Sequence, residues 1–160
     1  MEKKKETLLA PCTGKTVPLS AVPDEVFSGG LLGEGIGIEP ADGKFFAPVD
    51  GIITSVTDSQ HALTLMSANG TDLLLHIGVD TVRLAGEGFK LHVSLGERIQ
   101  AGQPIADVDI DLIRSRGFSA ICSLVVTEPK KIESAEYHPG ECTGGKDAVM
   151  SYVVLGEGVL

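Results

Sequence analysis

The sequence predicts an all-β protein, an antiparallel β-sandwich or barrel with one or two short helices. The chain of 160 residues holds 20 glycines and only 4% aromatic residues, which favours many short strands joined by tight turns. Between the turn signals lie short runs of β-branched and apolar residues, as expected for strands that pack one face on a core. These runs are GIITSVT (51–57), ALTLM (62–66), LLLHIGV (73–79), SAICSLVVT (119–127) and VMSYVVL (149–155).

Helix is expected at two places. The stretch DIDLIRSRG has Asp109 at the position of an N-cap and Gly117 as a stop signal, which predicts a short helix between them. The stretch PKKIESAEY (129–137) predicts a second short helix. Residues 1–6 are mostly charged and are expected to form a flexible tail. The folded unit is therefore predicted to be a single domain over residues 7–160.

A short motif occurs twice and indicates an internal duplication. LLAPCTGKTV (8–17) and FFAPVDGIIT (45–54) share the pattern A-P-x-x-G at an offset of 37 residues. A related stretch, GERIQAGQPIADV (96–108), has the rhythm of a strand, a tight turn and another strand. Two copies of one β motif around a common core are therefore predicted. The alternative is a chance recurrence of a common turn.

Charge and cysteine content exclude several classes of protein. The net charge of −9 argues against nucleic-acid binding and favours a partner with a basic surface. The cysteines Cys12, Cys122 and Cys142 lack CxxC spacing, which excludes a zinc ribbon and indicates reduced thiols in a cytoplasmic protein. The sequence also shows no signal peptide and no apolar run near the roughly twenty residues of a membrane span.

Two histidines are predicted to meet on one β-hairpin. If Asn69-Gly70 forms a two-residue loop, Leu63 faces His76 and His61 faces Gly78. Opposed residues, and alternate residues of one strand, share a face, so His61 and His76 become diagonal neighbours with Cα atoms about 7–8 Å apart. The same face is expected to continue with three leucines, Leu63, Leu65 and Leu74.

Such a pair of imidazoles has three interpretations: a hydrogen-bonded structural pair, two metal ligands, or a reactive centre. Two ligands are fewer than a stable zinc site supplies. Neutral imidazole is a nucleophile near neutral pH, and a second imidazole can bond to an anionic group carried by the first. Ser59 or Thr57 could orient the ring of His61. Asp80 could fix the tautomer of His76 or repel a product phosphate.

Three stretches of the chain carry a family resemblance. They are FFAPVDGIITSVTDSQHALTL (45–65), DLLLHIGVDTVRLAGEGF (72–89) and GERIQAGQPIADVDIDLI (96–113). They resemble the enzyme IIA domain of the glucose class of the phosphoenolpyruvate-dependent sugar phosphotransferase system. The resemblance extends from about Glu6 to Val154. It implies an antiparallel β-sandwich with a duplicated hybrid motif, and a phosphotransferase with a phosphohistidine intermediate that acts in sugar uptake.

The resemblance also implies roles for individual residues. His76, through its Nε2, would receive a phosphoryl group from phospho-HPr and pass it to a cysteine of the IIB domain of a sugar permease. His61 would stabilise the phosphate without being phosphorylated. Ser59 stands where the family usually has a threonine that hydrogen-bonds the second histidine. Gly78 and Asp80 match their counterparts in the family motif.

An apolar docking rim around the site is implied as well. No cofactor is required, and no metal site is expected within the chain itself. A zinc ion shared between His61 and His76 and a partner carboxylate is an option in a regulatory complex. Contact with the membrane is expected only through the permease. The residues that match the docking rim are Phe27, Leu31, Leu32 and Val82.

Three other functions compete with this interpretation. His76 and Asp80 mimic the H-x-x-x-D ligands of a lysostaphin-type zinc peptidase, but the H-x-H element of that class is missing. A biotinyl or lipoyl carrier would need a lysine at a hairpin tip in M-K-M or D-K context, and neither string occurs. A purely regulatory binding protein remains open. The pair His138 and Cys142 is a weak metal candidate without further ligands.

Overall fold

The computed structural model describes residues 4–30 and 32–155 and confirms the predicted all-β class. Short antiparallel strands dominate, and the predicted strand runs all form strands. The described residues form two α-helices, α1 (Glu25–Ser28) and α2 (Ile110–Ser115). The strands are β1 (Lys4–Leu9), β2 (Gly14–Pro18), β3 (Glu34–Pro40), β4 (Lys44–Phe46), β5 (Gly51–Val56), β6 (Ala62–Ser67), β7 (Asp72–Ile77), β8 (Phe89–Leu91), β9 (Arg98–Ile99), β10 (Pro104–Val108), β11 (Cys122–Val126), β12 (Ile132–Tyr137), β13 (Gly140–Cys142) and β14 (Ala148–Val154).

The strands form three sheets with an internal symmetry. The largest has the order β13-β2-β3-β11-β7-β6-β5-β9, and the smaller two have the orders β1-β14-β12 and β4-β10-β8. The four strands β13-β2-β3-β11 at one end of the large sheet correspond to the four strands β9-β5-β6-β7 at the other end. One three-stranded sheet accompanies each half. The centre lies between β11 and β7, where Leu124 pairs with Leu75. The strand that carries His76 therefore lies at the middle of the molecule.

The two copies of A-P-x-x-G contact each other reciprocally. The backbone N–H of Leu9 donates to the carbonyl of Pro48 at 2.8 Å, and that of Phe46 donates to Pro11 at 2.8 Å. Each bond is the image of the other under the 37-residue offset. The predicted duplication is therefore a structural repeat, and the two halves join through equivalent backbone groups.

Close packing explains the glycine of each copy. A Cβ atom on Gly14 would lie 2.0 Å from the carbonyl oxygen of Glu39, and one on Gly51 would lie 2.3 Å from that of Met66. In both halves the backbone of the paired strand occupies the space that a side chain would need. The glycine is needed here for the close approach of two backbones.

One apolar core joins the two halves. It contains fully buried side chains from both ends of the chain, among them Leu8, Phe45, Leu75 and Met150. Helix α2 closes part of this core with the buried Ile110 and Ile113.

The helices agree only in part with prediction. Helix α2 begins as expected, because the Asp109 carboxylate accepts the backbone N–H of Leu112 at 3.0 Å. The second predicted helix is wrong: a single 3-10 turn at Pro129–Lys131 leads into strand β12. Its pairing with β14, a strand close to the end of the chain, overrides the local helical preference. None of the helices in the described residues combines the length and hydropathy of a membrane span.

The predicted flexible tail over residues 1–6 is wrong at residues 4–6, while residues 1–3 lie outside the described residues. Residues 4–6 belong to β1 instead of a flexible tail, and they pair with 152–154. Glu6 is only 3% exposed. The Tyr152 hydroxyl donates to one oxygen of its carboxylate at 2.5 Å, and the Asn69 amide donates to the other at 3.0 Å. These two donors offset the cost of burying the carboxylate.

The predicted hairpin register is wrong by one residue. The loop enclosed by Ser67 and Thr71 has three residues instead of two, because Ser67 N–H donates to the carbonyl of Thr71 and Gly70 takes a left-handed φ of +89°. This is a turn followed by a glycine bulge. His76 consequently pairs with Ala62, and Leu63 pairs with Leu75.

The shift changes which side chains share a face. Alternation along β6 and β7 sends Leu63 and Leu65 into the core, where both are buried. Leu74 stays on the face of His76 and packs on a smaller apolar cluster around Phe27. A one-residue slip therefore removes two of the three predicted leucines from the surface around the histidine.

The buried carboxylate of Glu6 generates a stability prediction. Tyr152→Phe removes one of two donors to a buried group, so we expect a loss of about 1–3 kcal/mol in the free energy of unfolding, measured in urea. Tyr137→Phe is the matched control, because Tyr137 donates to Glu34 at 3.0 Å while 39% exposed. The free energy of unfolding of Tyr137→Phe should fall by no more than about 0.5 kcal/mol. Equal losses in both variants would contradict this account of Glu6.

Candidate functional site

His76 lies in β7, half-buried at the outer face of the central sheet. Its Nδ1 is 2.8 Å from the carbonyl oxygen of Gly78. Because a carbonyl only accepts, Nδ1 must carry the proton in this contact. In the neutral ring the lone pair then lies on Nε2, and among residues 4–30 and 32–155 that nitrogen has no hydrogen-bond partner.

The backbone after His76 is held in a tight turn. Gly78 has a φ of +80°, and a Cβ there would lie 2.4 Å from Cγ2 of Thr81. Thr81 is fully buried, and its hydroxyl donates to the carbonyl of Ile77 at 2.5 Å. Glycine is therefore needed at position 78, both for its conformation and for space. This turn, and not Asp80, supplies the group that selects the tautomer of His76.

His61 lies at a bend just before β6 and is only 7% exposed. Its ring centroid is 5.0 Å from that of His76, with the planes at 82°. The prediction that the two imidazoles meet is confirmed, although strand register alone does not bring them together. Because His61 precedes the strand, the alternation of β6 does not decide where its ring points.

Hydroxyl groups hold the second ring. The Ser59 hydroxyl is 2.6 Å from Nδ1 of His61, and the Thr57 hydroxyl is 3.4 Å from the same atom. Thr57 also donates to the carbonyl of Ala62 at 3.1 Å. Of the two hydroxyls considered in the sequence, Ser59 makes the shorter contact.

Burial favours the uncharged form of both rings. It lowers the pKa of His76, an effect partly opposed by the Gly78 carbonyl and by the carboxylates of Asp24 and Asp80. Burial also lowers the pKa of His61, and charge repulsion from the neighbouring His76 lowers it further by a smaller amount. A neutral His76 is a ring whose Nε2 lone pair is available for attack.

The predicted docking rim is arranged differently from expectation. Phe27 is only 4% exposed, and its ring centroid lies 5.0 Å from that of His76, so it packs against the imidazole instead of presenting a surface. Val82 is exposed at 55%. Leu32 is half-buried in the small cluster with Phe27. Leu31 lies outside the described residues.

Sequence reasoning missed Val26 and Asp24. Val26 is 44% exposed beside Phe27 in α1. The Asp24 carboxylate accepts the backbone N–H of Val26 at 2.9 Å and so caps this helix. The signal was present as an aspartate directly before Glu25, a typical N-cap pattern. A helix of four residues is too short for periodicity to reveal it.

The described part of the chain contains no group of three or more His, Cys, Asp or Glu side chains arranged to hold a metal ion. His61 and His76 together offer two imidazole nitrogens. A zinc ion at this pair would need a further ligand from a partner, so the shared zinc site stays a prediction.

Comparison with known proteins agrees with the geometry. Residues 6–132 match the family model described as phosphoenolpyruvate-dependent sugar phosphotransferase system, EIIA 1. The glucose-specific EIIA components of Bacillus cereus and Bacillus anthracis are each 39% identical over 146 residues, which is 91% of this chain and 88% of theirs.

Two further proteins extend the comparison. The glucosamine-specific EIICBA component of Bacillus subtilis is 44% identical over 122 residues, which is 76% of this chain but 19% of that protein. The structure of glucose permease IIA from Mycoplasma capricolum superposes with a TM-score of 0.85 at 33% identity, covering 92% of this chain and 96% of that one. The chain therefore belongs to the EIIA 1 family of the phosphoenolpyruvate-dependent sugar phosphotransferase system and is a phosphotransferase domain of that system.

Proposed function

We propose that His76 accepts the phosphoryl group from phospho-HPr on Nε2 and passes it to a cysteine of the IIB domain of a sugar permease. One observation carries the proposal: the Gly78 carbonyl binds Nδ1–H and leaves the lone pair on Nε2. Burial, which lowers the pKa of His76, supports the same assignment because it keeps this ring neutral near pH 7.

The proposed transfer balances without a cofactor. The lone pair on Nε2 of His76 attacks phosphorus, a new N–P bond forms, and the N–P bond of the donor phosphohistidine breaks. In the second step a cysteine thiolate attacks the same phosphorus, an S–P bond forms and the bond to Nε2 breaks. Throughout, the proton on Nδ1 stays shared with Gly78. Such transfers depend on in-line positioning and charge stabilisation more than on acid–base chemistry.

His61 is suited to bind the transferred group. If the Ser59 hydroxyl donates to Nδ1, the ring carries its proton on Nε2 and can donate to a phosphoryl oxygen. A dianionic phosphate on His76 would also favour protonation of His61 by charge attraction. With ring centroids 5.0 Å apart, the second imidazole is close enough to assist and remains unphosphorylated in this proposal.

The surroundings favour docking of a protein donor. Val26 and Val82 are exposed apolar side chains on the segments that carry Phe27 and Asp80, and apolar contact excludes water from the transfer. Carboxylates of Asp24 and Asp80 act on His76, and the chain carries a net charge of −9. A donor with a basic surface around its phosphohistidine would be attracted to such a site.

One of the relatives supports the choice of acceptor. One relative is an EIICBA component, in which an A part is joined to a B part, and this supports a IIB domain as the acceptor. We further propose that the domain works in the cytoplasm and reaches the membrane only through the permease. Regulatory partners and a zinc ion shared with one of them remain predictions.

Phosphorylation of the isolated chain tests the proposal. Incubation with phosphoenolpyruvate, enzyme I and HPr should attach one acid-labile, base-stable phosphate per chain, measured by radiolabel and intact mass. His76→Ala should abolish the signal because it removes the accepting nitrogen. His92→Ala is the matched control, since His92 pairs with Asp107 elsewhere on the surface. Equal labelling of His76→Ala and wild type would end the assignment.

Substitution of His61 separates uptake from delivery. His61→Gln should still accept phosphate from HPr, because Nε2 of His76 is intact. Delivery to IIB should fall by about 10²-fold or more, because glutamine cannot take up a proton beside the moving phosphoryl group. Rapid-quench kinetics of each half-reaction would measure both. Unchanged delivery by this variant would remove His61 from the mechanism.

The lowered pKa values predict a pH dependence. Both imidazoles should titrate below the ordinary value of about 6.5 in NMR experiments. Since the unfolded chain binds protons first as pH falls, the free energy of unfolding should decrease from about pH 6.5 down to the folded pKa and then level off. The decrease should be smaller in His76→Gln. Ring titration midpoints at or above the ordinary value would contradict this account.

A further inference from the structure

Strained backbone is concentrated around the two histidines. Within residues 4–30 and 32–155, four residues other than glycine have a positive φ, and three of them border the site: Gln60 (+59°), Asp80 (+61°) and Ala85 (+50°). The fourth, Ser134, lies in β12. A left-handed conformation is unfavourable for a residue with a Cβ and persists only where surrounding contacts impose it.

Gln60 is the strained residue directly between Ser59 and His61. Its backbone N–H donates to the carbonyl of Thr57 at 2.9 Å, which closes the turn after β5. Its side-chain Oε1 accepts the backbone N–H of Leu91 at 3.0 Å. Leu91 belongs to β8, in the three-stranded sheet β4-β10-β8. The side chain of Gln60 therefore ties the turn that carries His61 to a different sheet.

The hydrogen bond between Leu91 and Gln60 matters because His61 lies before the first residue of β6. The backbone of His61 is bound on one side, where its carbonyl accepts the N–H of Ile77 at 2.8 Å. On the other side the chain depends on the turn of residues 57–60. Ser59, whose hydroxyl touches the ring, lies in that same turn. A movement of Gln60 would displace both the ring and the hydroxyl that orients it.

We propose that Gln60 is a positioning residue for His61: its strained backbone and its hydrogen bond to Leu91 fix the second imidazole against His76. The inference rests on the proposed function of the histidine pair. Gln60 acts through His61 and touches no reacting atom. Its removal should therefore impair delivery of the phosphoryl group more than uptake.

Three variants test this role. Gln60→Leu removes the acceptor oxygen and keeps the bulk, Gln60→Gly removes the side chain and relieves the backbone, and Gln60→Glu keeps an acceptor at the same reach. Gln103→Leu is the matched control, because the Gln103 side chain also accepts a backbone N–H, that of Gln100, at 3.0 Å in the turn between β9 and β10. Urea unfolding establishes that each variant is folded.

The readouts are the rates of uptake from HPr and delivery to IIB, and NMR contacts between the protons of the two rings. In Gln60→Leu and Gln60→Gly we expect delivery to fall about tenfold or more, uptake to stay within about twofold, and the contacts between the rings to weaken. Gln60→Glu should restore delivery to within about threefold of wild type. Gln103→Leu should match wild type.

The outcomes separate this inference from the proposed function. Wild-type protein that takes up no phosphate on His76 would refute the proposed function itself. Normal uptake in the wild type, with unchanged delivery and intact ring contacts in Gln60→Leu, would refute only the role of Gln60. An equal loss of delivery in Gln103→Leu would also refute it, because the effect would then follow from general loosening of the fold.

Discussion

The site depends on one hydrogen bond, from Nδ1 of His76 to the carbonyl of Gly78. A carbonyl has no proton to give, so this contact decides which nitrogen of the neutral ring keeps its lone pair. The surrounding turn is built to hold that carbonyl in place. Gly78 takes a left-handed conformation with no room for a Cβ, and the buried Thr81 fastens the preceding carbonyl. The proposed reactivity at Nε2 therefore depends on backbone geometry.

The duplicated architecture explains why this turn can be rigid. The two halves meet through β7 and β11, so the strand that carries His76 is hydrogen-bonded to a neighbouring strand on each side. Equivalent motifs from the two halves also bind each other through Leu9 and Phe46. His61 has weaker support, because it lies at the bend before its strand. Its position depends on the hydroxyl of Ser59 and on a turn whose backbone is strained.

The imidazoles of His61 and His76 lie beside apolar side chains, which disfavour the charged forms of the rings and surround them with apolar surface. Burial lowers the pKa of each imidazole, which keeps both neutral near pH 7. The buried ring of Phe27 packs against His76, while Val26 and Val82 remain exposed. An uncharged nucleophile on an open, partly apolar surface is suited to accept a group from another protein, which a deep pocket would exclude.

The sequence by itself determined what depends on neighbours along the chain. Alternating strands, the Asp109 cap and the A-P-x-x-G duplication follow from local patterns, and the family follows from the same stretches. The sequence also indicated that His61 and His76 meet, but through a hairpin register that the structure corrects. Only the tertiary structure decided contacts that span the chain or depend on one residue of register. A bulge at Gly70 moved Leu63 and Leu65 into the core, and pairing with β14 made strands of residues 4–6 and 132–137. The carbonyl that selects the tautomer of His76 likewise belongs to a backbone whose direction no side-chain pattern encodes.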